Sequence, residues 1–440
     1  MWLLPALARV SGIASRTFYR LTLAGEPVPH SGPVLLVANH PNSLLDPALV
    51  AAAAGRPVRF LAKAPLFGDP AVGWLVRGSG AIPVFRPAED PEAAARNANV
   101  FQAVHAALAG GSAVGIFPEG TTHNEPSLVP LKTGAARMAL GAAALTGAAF
   151  PIIPVGLTFR DKERFRSDAL AVVGEPVSWE DLADQGDAAA RELTRRIDAA
   201  LRRVTVNVER WEDRPLLEAA EAIYAAEAEA SPAPAQRVSR LQEAAQTLAE
   251  LRRYAPERWQ TLAADVEEHR RMLAALGASP ESLRRLPAGV TALRWTAGKA
   301  AIWLVAGPLL LLGSLLFWLP YRAPGSIVTR LGVSEELRAT YKVLIGFVAL
   351  VLWIGAAVVT LAWVSGAITG LAALVVMPLF AAATLVLRDR WHDTISTARR
   401  FLQLRRGREL RAALRERQHK LALRLTAFAN SEIPHSSASR

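Results

Sequence analysis

Cysteine is absent from all 440 residues. That excludes disulfides, thiolate metal sites and a cysteine nucleophile together. There is also no Gly-x-Ser-x-Gly elbow to carry an activated serine. Acidic side chains are outnumbered, 39 Asp and Glu against 50 Lys and Arg, which leaves a formal charge of +11 and a pI near 10.5. The favoured partners are therefore anionic: phosphate-bearing metabolites, acidic lipid headgroups or nucleic acid. Nucleic acid is set aside, because no recognition motif and no interleaving of aromatic and basic residues occurs. In residues 1 to 21 no basic region precedes the apolar part and no small-residue cleavage site follows it, so this stretch is not read as a signal peptide. Apolar residues, by contrast, make up 51% of the chain, with a mean hydropathy of +0.21 and the excess lying after residue 296. The pattern implies a membrane protein of two or three folded units with a soluble front half.

One stretch organises the front half. An apolar run from Val34 to Ala38 reads as a short buried strand, stops at Asn39-His40, and gives way after Pro41 to an Ala/Leu/Val-rich helix. Five residues separate His40 from Asp46, and a loop bent at Pro41 and Pro47 can bring the carboxylate back to the imidazole. A carboxylate so placed fixes the tautomer and stabilises imidazolium, making the other ring nitrogen a general base. The plainer alternative is a helix-capping Asn/His beside a solvated aspartate.

Residues 1 to 21 are expected to form an amphipathic helix. Leu3, Leu7, Val10, Ala14, Phe18 and Leu21 share one face, and Arg9, Arg16 and Arg20 the other. It can lie in an anionic membrane interface or pack on the protein's own core. From Leu23 to Val204 short apolar runs alternate with helical ones, the pattern of an α/β domain. Strands are expected at Val34 to Ala38, Val58 to Ala62, Ala81 to Phe85, Ala113 to Phe117, Ile152 to Thr158 and Leu170 to Val173. Helices are expected at Pro47 to Ala54, Pro70 to Val76, Ala93 to Leu108 and Thr133 to Thr146.

Polar groups gather at the strand ends, where loops carry chemistry. Arg86 follows the strand in Gly80 to Phe85 and can take a phosphate bidentately. Phe117-Pro118-Glu119-Gly120-Thr121-Thr122-His123 ends another with a glutamate, a glycine that permits close backbone approach, and hydroxyls. Lys132 opens a Lys-Thr-Gly turn at the head of an Ala-rich helix, where it and backbone N–H groups can face an anion. Lys63 follows the Val58 to Ala62 strand, and Ile153-Pro154-Val155-Gly156 lies in another. Each of these alone is also ordinary turn chemistry.

Taken in order, Asn39-His40 with Asp46, Gly80 to Arg86, Phe117 to Thr121 and Ile153 to Val155 resemble the four blocks of the glycerolipid acyltransferase family. The resemblance covers about residues 23 to 180. The spacing departs from the family's usual four residues between histidine and aspartate, and Asn-His-Pro-Asn-Ser-Leu-Leu-Asp-Pro looks like the glycerol-3-phosphate and dihydroxyacetone-phosphate acyltransferase branch. The resemblance implies an α/β domain with a mixed sheet flanked by helices, then a helical region and C-terminal transmembrane helices. His40 and Asp46 would be catalytic, with direct transfer from an acyl thioester and no covalent intermediate. Arg86, Glu119, Gly120 and Thr121 would belong to the acceptor site, with Arg86 on the phosphate and Glu119 on a glycerol hydroxyl or on a basic neighbour such as Lys132. Lys132 and Lys63 are further candidates there, and Pro154 would shape the acyl side. No cofactor or metal is implied, since acyl-CoA or acyl-carrier protein is a co-substrate. Lysophosphatidate is the alternative acceptor, and a non-catalytic lipid-binding scaffold the alternative class. The partners implied are membrane lipids, a small phosphate-bearing acceptor and the thioester donor.

Residues 206 to 296 are rich in Ala, Glu, Arg and Leu and read as a helical arm broken at Ser231 to Ala235. Val343 to Trp363 and Ile368 to Leu387 read as a spanning hairpin, and Ala300 to Leu319 is long enough to cross but is interrupted at Gly307-Pro308 and Gly313. Arginines flank the pair on both sides, which places both flanks and the catalytic domain on the cytoplasmic face. Residues 300 to 319 are therefore expected to be re-entrant or interfacial. The tail from 389 to 440 is basic, and its Arg388 to Arg424 part is either a helix for anionic bilayers or a solvated one.

Overall fold

The computed structural model describes residues 4–70, 72–85, 93–182, 186–230, 233–284, 289–333, 335–406 and 408–430. Arg86 lies outside them. Two compact units result, the first made of residues 1–209, 232–242 and 334–340, the second of 210–231, 243–333 and 341–440.

The first unit is built on a seven-stranded sheet. After helix α1 (Leu4–Phe18) come β1 (Tyr19–Gly25), β2 (Val34–Ala38), α2 (Leu45–Ala54), β3 (Val58–Lys63), α3 (Gly73–Gly78) and β4 (Ile82–Val84). Then follow α4 (Ala93–Ala109), β5 (Ala113–Ile116), α5 (Gly134–Thr146), β6 (Ile152–Phe159), β7 (Ser167–Val173) and α6 (Gly186–Val204). The spatial order is β1-β7-β6-β2-β5-β3-β4, parallel throughout except for the β6–β7 pair, so the sheet is mixed. β2 lies at its centre with all five residues buried, as a strand covered on both faces must be. Leu35, Val37, Val104, Leu108, Ala139, Ile152, Trp179, Leu193 and Leu201 join in one core. Because β2, β5 and β3 are parallel neighbours, their carboxyl ends open on the same edge, the usual place for a ligand crevice.

The expected strands and helices are present with shifted ends. Helix α1 stops at Phe18, not Leu21: Tyr19 begins a strand paired in parallel with β7, opposite Ser167. Apolar spacing alone continues through Leu21, but the pairing wins because it buries the Tyr19 side chain completely. Helix α6 is an element beyond those expected, with Ala189, Leu193, Ile197 and Leu201 on its buried face.

The second unit is helical. It comprises α7 (Asp213–Glu227), most of α8 (Pro234–Tyr254), α9 (Pro256–Ala275), α10 (Pro280–Arg284), α11 (Gly289–Leu316), α12 (Trp318–Arg330), most of α13 (Glu335–Ser365), α14 (Ala367–Arg406) and α15 (Arg408–Asn430). Helix α15 does not stand apart as a tail. Its Leu421 and Ala422 pack with Ile223, Leu262 and Val266, and its Leu414 with Leu273 and Leu283. Its cations pair with the arm's acids, Arg417 with Glu268 and Arg424 with Asp265. Among the described residues, three helical stretches are long and apolar enough to cross a membrane: Ala297–Leu316, Leu337–Ser365 and Ala367–Arg399.

Candidate active site

The loop between β2 and α2 is tied down at both ends. At its start the Asn39 side chain bridges to β6, donating to the Leu157 carbonyl (3.0 Å) and accepting from the Leu157 N–H (2.7 Å). At its end Asp46 sits in the first turn of α2, fully buried. Between them Ser43 takes the left-handed conformation at φ 49, and its carbonyl accepts the Asp46 N–H. The loop thereby doubles back and absorbs five intervening residues. Asp46 Oδ2 lies 2.9 Å from His40 Nδ1 and 2.7 Å from the Asn42 N–H that it accepts. Among the described residues its Oδ1 meets no hydrogen-bond partner. Burial pushes the Asp46 carboxyl above its usual 3.8, against the opposing pull of the bonds from His40 and Asn42.

With its Nδ1 proton held by the carboxylate, His40 keeps an Nε2 lone pair for substrate. Its ring stacks on Phe117 (centroids 4.1 Å, 13° between planes), and Phe117 lies in turn beside a nearly parallel Phe60. Gly115 is what lets Phe60 in: a Cβ there would fall 2.3 Å from the Phe60 ring. Gly115→Ala is thus expected to cost about 1–3 kcal/mol by overpacking, read as a lower thermal unfolding midpoint of the purified protein. An unchanged midpoint would mean that Phe60 moves aside freely.

The β2–β5 register sets the next group. Val37 pairs with Ile116, so residues three further along each strand, His40 and Glu119, are neighbours. Glu119 is buried and accepts the His40 N–H at 2.8 Å and the Val129 N–H at 3.2 Å. Its second oxygen also meets His123 Nε2. His123 Nδ1 accepts the Glu125 N–H at 3.1 Å, which leaves the ring proton on Nε2, facing Glu119. Both carboxylate oxygens of Glu119 thus hold the protein's own loops. Gly120, at φ 70, lies under Lys132, whose stem and Nζ would be 2.8 Å from a Cβ at that position. Thr121 and Lys132 are exposed beside it. Lys63, exposed, ends β3 opposite Val84 on the same edge of the sheet. Pro154 is a buried residue within β6, opposite Val37, with its ring against Gly174.

Three supports had not been singled out from the sequence. The Asn42 amide donates to the Tyr19 hydroxyl at 2.7 Å. Lys162 Nζ donates to the Pro41 carbonyl at 3.3 Å. His123 was visible four residues after Glu119, a spacing that can bring two side chains together, but nothing distinguished it from other loop histidines.

Comparisons with known proteins bear on the domain that carries these residues. The model of the family described as Acyltransferase matches residues 20–158. Residues 20–158 are an acyltransferase domain. The resemblance drawn from the four blocks is therefore borne out, and so is its mixed sheet flanked by helices. Glycerol-3-phosphate O-acyltransferase 2 of Saccharomyces cerevisiae is 35% identical over 134 residues, 29% of this chain and 18% of that protein. The chloroplastic 1-acyl-sn-glycerol-3-phosphate acyltransferase BAT2 of Brassica napus is 30% identical over 149 residues, 33% of this chain and 40% of that one. Each alignment thus spans well under half of the relative. Among solved structures, the crystal structure of the 1-acyl-sn-glycerophosphate acyltransferase PlsC from Thermotoga maritima aligns with a TM-score of 0.36 and 22% identity, over 46% of this chain and 78% of that one. The acyltransferase domain extends structurally past the matched residues, since β7 and α6 complete its sheet and core.

Proposed function

We propose that the chain is a membrane-bound O-acyltransferase that moves a fatty acyl group from acyl-CoA or acyl-carrier protein to glycerol-3-phosphate or dihydroxyacetone phosphate. The observation that carries the reading is the buried Asp46 carboxylate 2.9 Å from His40 Nδ1 inside an acyltransferase domain. His40 Nε2 takes the proton of the acceptor hydroxyl as its oxygen adds to the thioester carbonyl. Asp46 steadies the imidazolium, and collapse breaks the C–S bond, the thiolate leaving with that proton. Arg86 and Lys132 would hold the acceptor's phosphate, with Gly120 keeping the backbone low beneath it. The similarity to the Brassica protein favours lysophosphatidate as a second acceptor. The apolar helices and basic flanks support a membrane setting with the domain on the cytoplasmic face.

The test is acyl transfer from a long-chain acyl-CoA by membranes bearing the wild-type chain or His40→Ala, with glycerol-3-phosphate, dihydroxyacetone phosphate and lysophosphatidate compared. Loss of a general base should lower turnover roughly 10²- to 10⁴-fold. The favoured acceptor identifies the reaction. Equal transfer by both chains removes His40 from the chemistry, and transfer to none of the three, repeated with an acyl-carrier-protein donor, overturns the reading.

A further inference from the structure

The apolar stretch of α11 is 20 residues long, against 29 in α13 and 33 in α14, and α11 runs beside α14 for only part of that helix's length. Helix α11 packs antiparallel on α14 through three contacts in register. Trp303 meets Trp391 (4.8 Å between centroids) and donates to Thr394 Oγ1 at 3.3 Å. Gly313 lies against Thr384, so closely that a Cβ would fall 2.0 Å from its Oγ1. Phe317 meets Phe380 at 6.1 Å. There the chain turns, and α12 heads back: the Tyr321 hydroxyl donates to the Ala381 carbonyl at 3.1 Å, and Pro324 lies beside Gly346 of α13.

The far end of the α13–α14 pair is the turn at Gly366, where Gly370 packs against Ala362. From Ala381 to Ala367 is 14 residues of helix, about 21 Å at 1.5 Å per residue. If α13 and α14 cross a hydrocarbon core of about 30 Å, the apex at Phe317 stops roughly 10 Å inside the near face. Gly346, beside which α12 returns, is 20 residues before the turn, about 30 Å away along the helix. Helix α12 is thus back at the near face.

The surface of this short hairpin is apolar and uncovered. In the part of it that lies within the hydrocarbon core, Leu311, Leu312, Leu315 and Trp318 are all more than half exposed. Lys299 and Arg322 bound the apolar stretch, and Arg322 lies over the Trp318 ring at 6.0 Å, its charge free to reach headgroups while the aromatic sits deeper. The helical backbone satisfies its own hydrogen bonds, so such a segment can enter lipid without crossing it.

We propose that α11 and α12 form a re-entrant hairpin whose surface is occupied by the acyl chains of one leaflet, the leaflet on the side from which α11 enters, and that the chain crosses the bilayer only with α13 and α14. The proposal rests on the reading of α13 and α14 as a spanning pair. It makes the near leaflet, rather than the whole bilayer, the partner of residues 297–330.

Because the chain has no cysteine, single introduced cysteines report without background. Four exposed positions serve in the full-length protein: Ala148→Cys on the acyltransferase domain, Ser326→Cys on α12, Ser365→Cys at the far turn and Leu315→Cys near the apex. Each is exposed to a membrane-impermeant maleimide in sealed vesicles of either orientation. The expected result is Ala148→Cys and Ser326→Cys labelled from one side, Ser365→Cys from the other, and Leu315→Cys from neither until detergent is added. Ser326→Cys opposite Ala148→Cys, with Ser365→Cys on the latter's side, means three crossings and overturns the hairpin. All four labelled from one side means that the spanning pair itself fails. Leu315→Cys labelled as fast as Ser326→Cys, with Ser365→Cys still opposite, means that the hairpin lies in water, and also overturns it.

Discussion

Asp46→Asn is expected to lose acyl-transfer activity by roughly 10³- to 10⁴-fold, the scale on which a histidine base suffers when its orienting carboxylate goes, while the protein unfolds no sooner than the wild type at neutral pH. The first half follows from the tautomer. The Asp46 carboxylate can only accept, so it keeps the proton on His40 Nδ1. An asparagine can turn its amide toward Nδ1, which moves the proton to Nε2 and removes the lone pair that the acceptor hydroxyl needs. The second half follows from burial, which raises the Asp46 pKa above 3.8. The folded state therefore holds this proton more tightly than the unfolded chain. Its favourable contribution is present below about pH 3.8 and is lost as pH rises through the higher folded value. At neutral pH the ionised group is a buried charge with one oxygen unpartnered among the described residues, and the relief of that charge by asparagine is expected to outweigh the Asn42 N–H bond that the turned amide gives up. Melting both proteins across pH 4 to 8, alongside the transfer assay, checks both halves. A stability advantage for the variant that grows from acid to neutral pH is expected. A variant less stable at neutral pH would mean that the ion pair with His40 outweighs burial.

Glu119→Gln is expected to destabilise the domain and lower its activity while leaving the His40 and Asp46 side chains unchanged. Glu119 receives three donors, the N–H groups of His40 and Val129 and the His123 ring. A glutamine amide offers one acceptor oxygen and sets an NH₂ against the remaining donors. Each buried donor left unpaired costs about 1–3 kcal/mol, so the unfolding midpoint should fall well below that of the wild type. Activity should fall with it, through kcat, because the His40 backbone loses its anchor. This separates two roles. If Glu119 instead binds an acceptor hydroxyl, as the resemblance to the family implies, the variant should show a raised KM for the acceptor with kcat and the unfolding midpoint little changed.

The two carboxylates also mark how far a sequence can be read. His40 and Asp46 belong to one loop between a strand and a helix, so residue type and spacing were enough to suggest a base and its partner. The Glu119–His40 bond joins positions 79 apart and depends on β5 lying next to β2. Strand adjacency in a sheet ordered β1-β7-β6-β2-β5-β3-β4 is invisible to chain order. Pro154 shows the same limit: it was legible as part of a strand, but its place opposite Val37, in the sheet interior, comes from register. At the N-terminus, apolar spacing carried the helix through Leu21, whereas pairing with β7 claims the chain from Tyr19. Tyr19 then supports the loop between His40 and Asp46 through Asn42, a link that local pattern could not show.

The pairing of α15 with α7 has a consequence for the order in which the second unit can assemble. Gln418 donates to Glu227 at 2.8 Å across 191 positions of chain, and the segments between them include all three apolar helices. A contact of such long range forms only after the intervening chain has been synthesised and placed, and closing so large a loop is slow compared with folding a local helix pair. On the ribosome, α7 and α9 therefore emerge with Ile223, Leu262 and Val266 uncovered, an apolar surface open to chaperones or to aggregation. It is closed only when α15 arrives, after α11, α13 and α14 have been made. The sheet of the acyltransferase domain is complete by Val173, and its core, which takes in α6 and Val238 of α8, is made before any of the three apolar helices and can fold ahead of them.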